Sequence, residues 1–160
     1  MIRDAKREDA PQLAALYNPY IEGTIVTFEE ELLSDETMAQ RISSVMTRYP
    51  WIVSDEDGEI SGYAYANRFD AREAYRHAVE TTVYIGMTRT GRGIGSKLYR
   101  ALIDDLIARG FHCAIARIAL PNDQSVALHE KFGFVKVAEL KEVGYKLDRW
   151  VDVGYWELLF

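Results

Sequence analysis

Residues 81–107 pass from one geometry to another within a few positions. Thr81-Thr82-Val83-Tyr84-Ile85 is a β-branched and aromatic run that suits a pleated strand. From Ile94 onward Leu98, Leu102 and Leu106 recur every four residues with Tyr99, Ile103 and Ile107 beside them, until Gly110. That is the apolar stripe of an α-helix with a glycine stop. Between the two lies Arg89-Thr90-Gly91-Arg92-Gly93-Ile94-Gly95-Ser96. Strand, glycine turn and helix in this order demand a sheet with a helix packed on it. The start of such a helix carries unpaired N–H groups and partial positive charge, so an anion can be held by main chain alone. Glycines let a phosphate approach that backbone. The same stretch also suits a merely flexible connection. A Walker loop is excluded by spacing, and the dinucleotide fingerprint fails because Leu98 stands where its third glycine belongs.

The rest of the chain fills in a mixed layout. Ile2–Ala5 suits a short strand, and about Asp9–Tyr20 a helix with Pro11 in its first turn and Leu13, Leu16, Tyr17 and Tyr20 on one face. A polar segment, Glu22–Ser34, contains Phe28 and leads to a second helix over about Asp35–Thr47, with Met38, Ile42, Val45 and Met46 at helical spacing. Trp51–Ser54 and Ile60–Phe69 read as a hairpin turned by Asp57-Gly58. Arg68–His77 reads as a loop or one helical turn, and Val79–Ile85 as a strand. After the glycine loop and its helix, Cys113–Leu120 reads as a buried strand and Pro121-Asn122-Asp123 begins a helix to about Lys131. Phe132–Val135 begins another strand, and Val143–Phe160, which carries Tyr145, Trp150, Tyr155 and Trp156, looks like a final pair; Trp150, Tyr155 and Trp156 suit the core first and a dimer surface second. The order β, α, α, β, β, β, α, β, α, β, β implies one domain over 1–160, a mixed sheet flanked by helices.

Composition narrows the partners. Nineteen Lys+Arg against 25 Asp+Glu give a net charge of -6, which argues against a general nucleic-acid or anionic-membrane surface. The start, Met1-Ile2-Arg3-Asp4-Ala5-Lys6, lacks a secretory apolar region, so a cytoplasmic protein is expected. The single Cys113 suits a small buried hydrophobe. His77, His112 and His129 show no metal-ligand spacing, and no metal is expected.

Several motifs carry a resemblance. Gly91-Arg92-Gly93-Ile94-Gly95 before a helix, Asn122-x-x-Ser125 and Phe132-Gly133-Phe134 resemble the GNAT acetyltransferase superfamily. Thr27-Phe28, Asp57-Gly58-Glu59, Ala71-Arg72-x-Ala74-Tyr75, Val79-Glu80-x-Thr82-Val83-Tyr84, His129-Glu130 and Arg149-Trp150-x-Asp152-Val153-Gly154 are similar to its phosphinothricin N-acetyltransferase branch. The matches run from residue 2 to about 157. The resemblance implies an α/β (α+β) fold, with a mixed, mostly antiparallel sheet of about seven strands and about four helices. It also implies acetyl-CoA as cosubstrate. Its pyrophosphate would sit on the main chain of Gly91, Arg92, Gly93, Ile94, Gly95 and Ser96. Val83, Tyr84 and Ile85 would pair with its pantetheine arm as a neighbouring strand does, with Asn122 contacting that arm while capping its own helix. Three positions depart from the pattern: Thr90 stands in the first place of the loop motif with Arg89 one position early, His77 replaces a tryptophan and Val151 a histidine.

For catalysis the resemblance implies Glu80 and His129. Acetyl transfer needs a neutral amine, so a base must take its proton. A glutamate among apolar and aromatic groups has a raised pKa, which suits Glu80 to that task or to a water-mediated relay. His129 is a candidate to donate a proton to the thiolate, to shuttle one, or to orient Glu80. Arg72 is the candidate grip for an acceptor carboxylate, with Tyr75 and Phe28 shaping the pocket. The leading expectation is an N-acetyltransferase acting on the α-amine of a small amino-acid analogue (phosphinothricin, methionine sulfoximine or methionine sulfone) by direct attack in a ternary complex, in a homodimer. The alternatives are acetylation of a polyamine, an aminoglycoside or a protein N-terminus, and a non-catalytic CoA-binding sensor.

Overall fold

In the computed structural model, which describes residues 1–160, the chain runs β1 (Ile2–Asp4), α1 (Ala10–Gly23), α2 (Asp35–Met46), β2 (Trp51–Glu56), β3 (Glu59–Arg68), β4 (Ala78–Ile85), α3 (Ile94–Ala108), β5 (Cys113–Leu120), α4 (Asp123–Lys131), β6 (Val135–Lys146) and β7 (Arg149–Leu159). The strands form one seven-stranded sheet in the order β1-β2-β3-β4-β5-β7-β6. Every pairing is antiparallel except β4 with β5. The fold expected from the sequence is therefore the one observed.

Local chemistry explains the elements. Asp57 and Gly58 both adopt positive φ in the β2–β3 turn. The Ser34 hydroxyl accepts from the Thr37 N–H at 3.1 Å and starts α2. Leu98, Leu102 and Leu106 of α3 are fully buried against Val79, Ala114 and Phe134 on one face of the sheet. Each of these leucines contributes about 1.5–3 kcal/mol by leaving water. On the other face α1 and α2 bury Leu13, Tyr17, Ile21, Met38 and Ile42 against Trp51, Val53 and Tyr63.

Four expectations need correction. Helix α1 continues through Pro19 to Gly23, because burial of Leu13, Tyr17 and Ile21 on one stripe outweighs the main-chain hydrogen bond that proline removes. Strand β6 is continuous from Val135 to Lys146, and its turn into β7 places Leu147 and Asp148 at φ 51° and 58°, a hairpin geometry without the usual Asn-Gly signal. The tail aromatics separate: Trp156 is buried, whereas Trp150 is 62% and Tyr145 55% exposed. Cys113 is only half-buried, at the start of β5.

What positions the site is a break in the sheet. Strands β4 and β5 pair only at Ala78–Cys113, Val79–Ala114 and Glu80–Ile115. Beyond Glu80, β4 stays with β3 as far as Ile85, while β5 stays with β7 as far as Leu120. The strands diverge, and residues 81–85 keep a main-chain edge with no strand partner on the β5 side.

Candidate active site

At the open end of this wedge lies the glycine turn. Gly91 and Gly93 have φ of +79° and +76°, and a Cβ built on either would meet nothing within 4 Å. These glycines are required by backbone conformation, not by crowding, and the space above them is free. Gly93 is the N-cap of α3, so the first N–H groups of that helix face the turn. A cleft of about 400 Å³ is lined by Gly91, Gly93, Ser96, Ile85 and two cationic side chains, Arg89 and Lys131. Arg89 is held by ion pairs to Glu56, at 3.0 Å, and to Glu59 on the β2–β3 hairpin. Lys131 Nζ donates to Ser96 Oγ at 3.0 Å. The Thr90 hydroxyl is 3.5 Å from the Met87 carbonyl.

A second cleft, about 640 Å³, shares Val26, Val83, Tyr84, Asn122 and Ser125 with the first, so the two form one groove along β4. Asn122 Oδ1 accepts from the Ser125 N–H at 3.1 Å and caps α4, and its amide N–H groups make no hydrogen bond within the chain. Glu80 and Arg117 face each other across the wedge and form an ion pair. The surroundings expected for Glu80, apolar and aromatic, thus include a guanidinium. Arg117 is the one Arg or Lys lining this cleft.

The irregular segment between α1 and α2 roofs the cleft and is pinned at several points. Asn18 bonds both main-chain groups of Leu33, at 2.9 and 3.0 Å. Buried Lys146 of β6 donates to the Thr27 carbonyl at 2.7 Å. Tyr17 donates to Glu29, whose carboxylate also pairs with Arg41. The Arg41 guanidinium holds the Glu29 carboxyl below the usual carboxylate range, and burial raises the Tyr17 hydroxyl. The roof carries Phe28, whose ring lies over Gly144: a Cβ there would come within 2.3 Å of it.

His129 is 4% exposed. Its Nδ1 lies 2.6 Å from the Ser125 carbonyl oxygen, so this nitrogen carries the hydrogen. Its Nε2, 2.7 Å from the Tyr99 hydroxyl, then accepts, and Tyr99 in turn lies 2.7 Å from Thr81 Oγ1. Burial pushes the imidazole below its ordinary value despite the Ser125 bond. Both ring nitrogens are engaged, neither with Glu80. Burial and these two hydrogen bonds favour the neutral imidazole.

The structure thus brings Glu80, His129, Asn122, Phe28 and residues 83–85 to one groove that ends on the glycine turn. Arg72 and Tyr75 stand apart from it. Arg72 has a 78% exposed side chain paired with Asp70 at 3.2 Å, on the short turn before β4. Sequence reasoning missed Arg117, Glu29 and Lys131. Arg117 had a signal, as the sole charge in the apolar run Cys113–Leu120. Glu29 and Lys131 had none beyond ordinary surface charge.

An unpaired strand edge beside a glycine-started helix suits a ligand with an amide-bearing arm and a pyrophosphate. Comparison with known proteins agrees. Residues 2–154 match the acetyltransferase (GNAT) domain. Phosphinothricin N-acetyltransferase of Streptomyces coelicolor is 40% identical, over 98% of this chain and 94% of that protein. An L-methionine sulfoximine/L-methionine sulfone acetyltransferase of Salmonella typhimurium is 31% identical, over 98% and 92%. The crystal structure of a phosphinothricin acetyltransferase from Sinorhizobium meliloti in complex with acetyl-CoA superposes with a TM-score of 0.96 at 34% identity, covering 100% of this chain and 88% of that one. The chain belongs to the GNAT family of acetyltransferases and is an N-acetyltransferase.

Proposed function

We propose that this enzyme acetylates the α-amine of a small amino-acid analogue of the phosphinothricin, methionine sulfoximine or methionine sulfone type, by direct attack within a ternary complex. Acetyl-CoA supplies the activated acyl thioester. The glycine turn, Gly91 to Ser96, holds its pyrophosphate, and the free edge at Val83, Tyr84 and Ile85 aligns its amide-bearing arm with the Asn122 amide nearby. The observation that carries this reading is the single groove, with an anion cradle at one end and the Glu80 carboxylate at the other. The Ile85 carbonyl already accepts from the Tyr20 hydroxyl at 2.7 Å, which leaves Val83 and Tyr84 the larger share of the pairing.

Glu80 takes the proton that the amine must lose. The neutral nitrogen then bonds to the acetyl carbon, the carbon–sulfur bond breaks, and the nitrogen gives up its second proton. One proton ends on the sulfur, which leaves as a thiol, and the other returns from Glu80 to solvent. His129, neutral and hydrogen-bonded on both sides, serves as a relay and fixes the floor of the groove rather than acting as an acid. Phe28 packs on the acceptor side chain. The exposed apolar strip of the β6–β7 hairpin, Val137, Val143, Tyr145, Leu147 and Trp150, is the surface through which the chain forms a homodimer. A cytoplasmic enzyme is part of this reading, since acetyl-CoA is its cosubstrate.

The test is an amine panel assayed by thiol release: methionine sulfone, methionine sulfoximine and phosphinothricin against a polyamine, an aminoglycoside and a peptide N-terminus. Turnover concentrated in the first group supports the reading. Preference for the polyamine or the peptide overturns it, and acetyl-CoA binding without thiol release for any amine overturns catalysis altogether.

A further inference from the structure

Arg117 has no part in the acetyl transfer itself, yet it lines the acceptor cleft. It lies on β5 two residues beyond Ile115, the register partner of Glu80, and therefore on the same face as Ile115. Its own cross-strand partner is Tyr155, which also lines the cleft. Its side chain is half exposed, at 50%, and its guanidinium rests on the Glu80 carboxylate. The only other cleft carboxylate, Glu29, is already committed to Arg41 and Tyr17. No second cation lines the cleft, and Arg72 is engaged outside it.

A neighbouring carboxylate and guanidinium are the mirror of an α-amino acid, in which ammonium and carboxylate sit on one carbon. We propose that Arg117 is the residue that selects acceptors by their α-carboxylate. The zwitterion exchanges the internal ion pair for two intermolecular ones, its carboxylate taken by the planar guanidinium and its ammonium by Glu80. The exchange conserves charge pairing, so the cost of separating two partly buried charges is offset on both sides. It also links recognition to chemistry. While Arg117 rests on Glu80 the base is occupied, and an acceptor without a carboxylate has nothing to draw the guanidinium away. This inference deepens the proposed function and rests on it.

The experiment compares kcat and KM for methionine sulfone, its carboxamide and the amine left by its decarboxylation, in the wild type and in Arg117→Leu, Arg117→Lys and Arg72→Leu, with acetyl-CoA Kd measured for each. The wild type should favour the free carboxylate by at least about tenfold, the scale of one charge-assisted bidentate contact. Arg117→Leu should bring that ratio near unity, chiefly through KM for methionine sulfone, with acetyl-CoA Kd unchanged. Arg117→Lys, which keeps the charge and loses the fork, should retain part of it. Arg72→Leu should leave the ratio in place. The proposal is overturned if Arg117→Leu preserves the ratio, if Arg72→Leu abolishes it, or if Arg117→Leu lowers kcat equally for all three acceptors, which would make Arg117 only a support for Glu80. A wild type that acetylates none of the three, nor phosphinothricin or methionine sulfoximine, overturns the proposed function as well, whereas amine turnover with an unaltered ratio overturns this inference alone.

Discussion

The two ends of the groove are built in different ways. The glycine end is main chain: two positive-φ glycines, the first turn of α3 and the unpaired edge of β4, all from residues 81–97. The acceptor end is side chain: Glu80 of β4, Arg117 of β5, Phe28 of the roof and Gly144 beneath it in β6, drawn from positions 116 residues apart between first and last (144 minus 28). A site made of backbone tolerates sequence change wherever φ is kept, whereas one made of converging side chains depends on each of them. Substitutions should therefore divide cleanly, altering either acetyl-CoA affinity or acceptor turnover but not both.

The largest effect is expected from Glu80→Gln. Removal of a general base typically costs about 10²–10⁴ in rate. Turnover should fall by that factor with acetyl-CoA Kd unchanged, read by thiol release and by calorimetry. Unchanged turnover would remove Glu80 as the base, and a parallel loss of acetyl-CoA affinity would break the division between the ends.

Next comes Gly144→Ala, which acts on the acceptor end without touching a charge. The new methyl carbon would fall 2.3 Å from the Phe28 ring, so the ring must move or β6 must shift. Overpacking of this kind costs about 1–3 kcal/mol. We expect a raised acceptor KM and a lower Tm, with acetyl-CoA binding intact. Phe28→Leu combined with Gly144→Ala should recover part of both, because the smaller side chain removes the clash.

How much of each end could be read in the sequence follows the same division. The glycine turn, α3 and the β2–β3 hairpin were legible because the signals are local: a four-residue apolar repeat in α3, and Asp57-Gly58 at the turn. The wedge was not, since no residue pattern marks where β4 and β5 stop pairing. Arg117 reads as an interruption of an apolar strand until the fold sets it against Glu80, 37 positions earlier. Arg72 shows the converse. Its motif was recognisable, but the direction its loop takes is a tertiary matter, and the side chain turns to Asp70. Trp150 and Trp156 lie six residues apart on β7, one in water and one in the core, a distinction that depends on where the sheet is covered.

At the glycine end, Gly93→Ala tests the claim that conformation and not space fixes the residue. A non-glycine residue held at φ near +76° costs about 1–2 kcal/mol. Because nothing crowds the position, the loop can relax, and acetyl-CoA Kd should rise by no more than about tenfold, the equivalent of 1.4 kcal/mol. The acceptor KM, measured at saturating acetyl-CoA, should stay put. A changed preference among acceptors in this variant would show that the two ends communicate.

The smallest effect concerns His129, which sits where the ends meet. Burial lowers its proton affinity below the ordinary value of 6.5 in the folded protein, while the unfolded chain keeps that value. Between the two the unfolded state binds more protons, so unfolding free energy rises with pH through that window. The stability is fully present above about 6.5 and declines as pH falls below it. Glu29 and Asp9, both held low by arginine partners, add losses with the same sign, but only further down, as pH falls through the carboxylate range. Urea unfolding of the wild type should therefore show a first decline just below pH 6.5, separate from a later acid one. His129→Gln, whose amide can still donate to the Ser125 carbonyl and accept from Tyr99, should lose the first and keep the second. Persistence of the first decline in that variant would assign it elsewhere, and would leave the neutral state of His129, on which its place as a relay depends, without support.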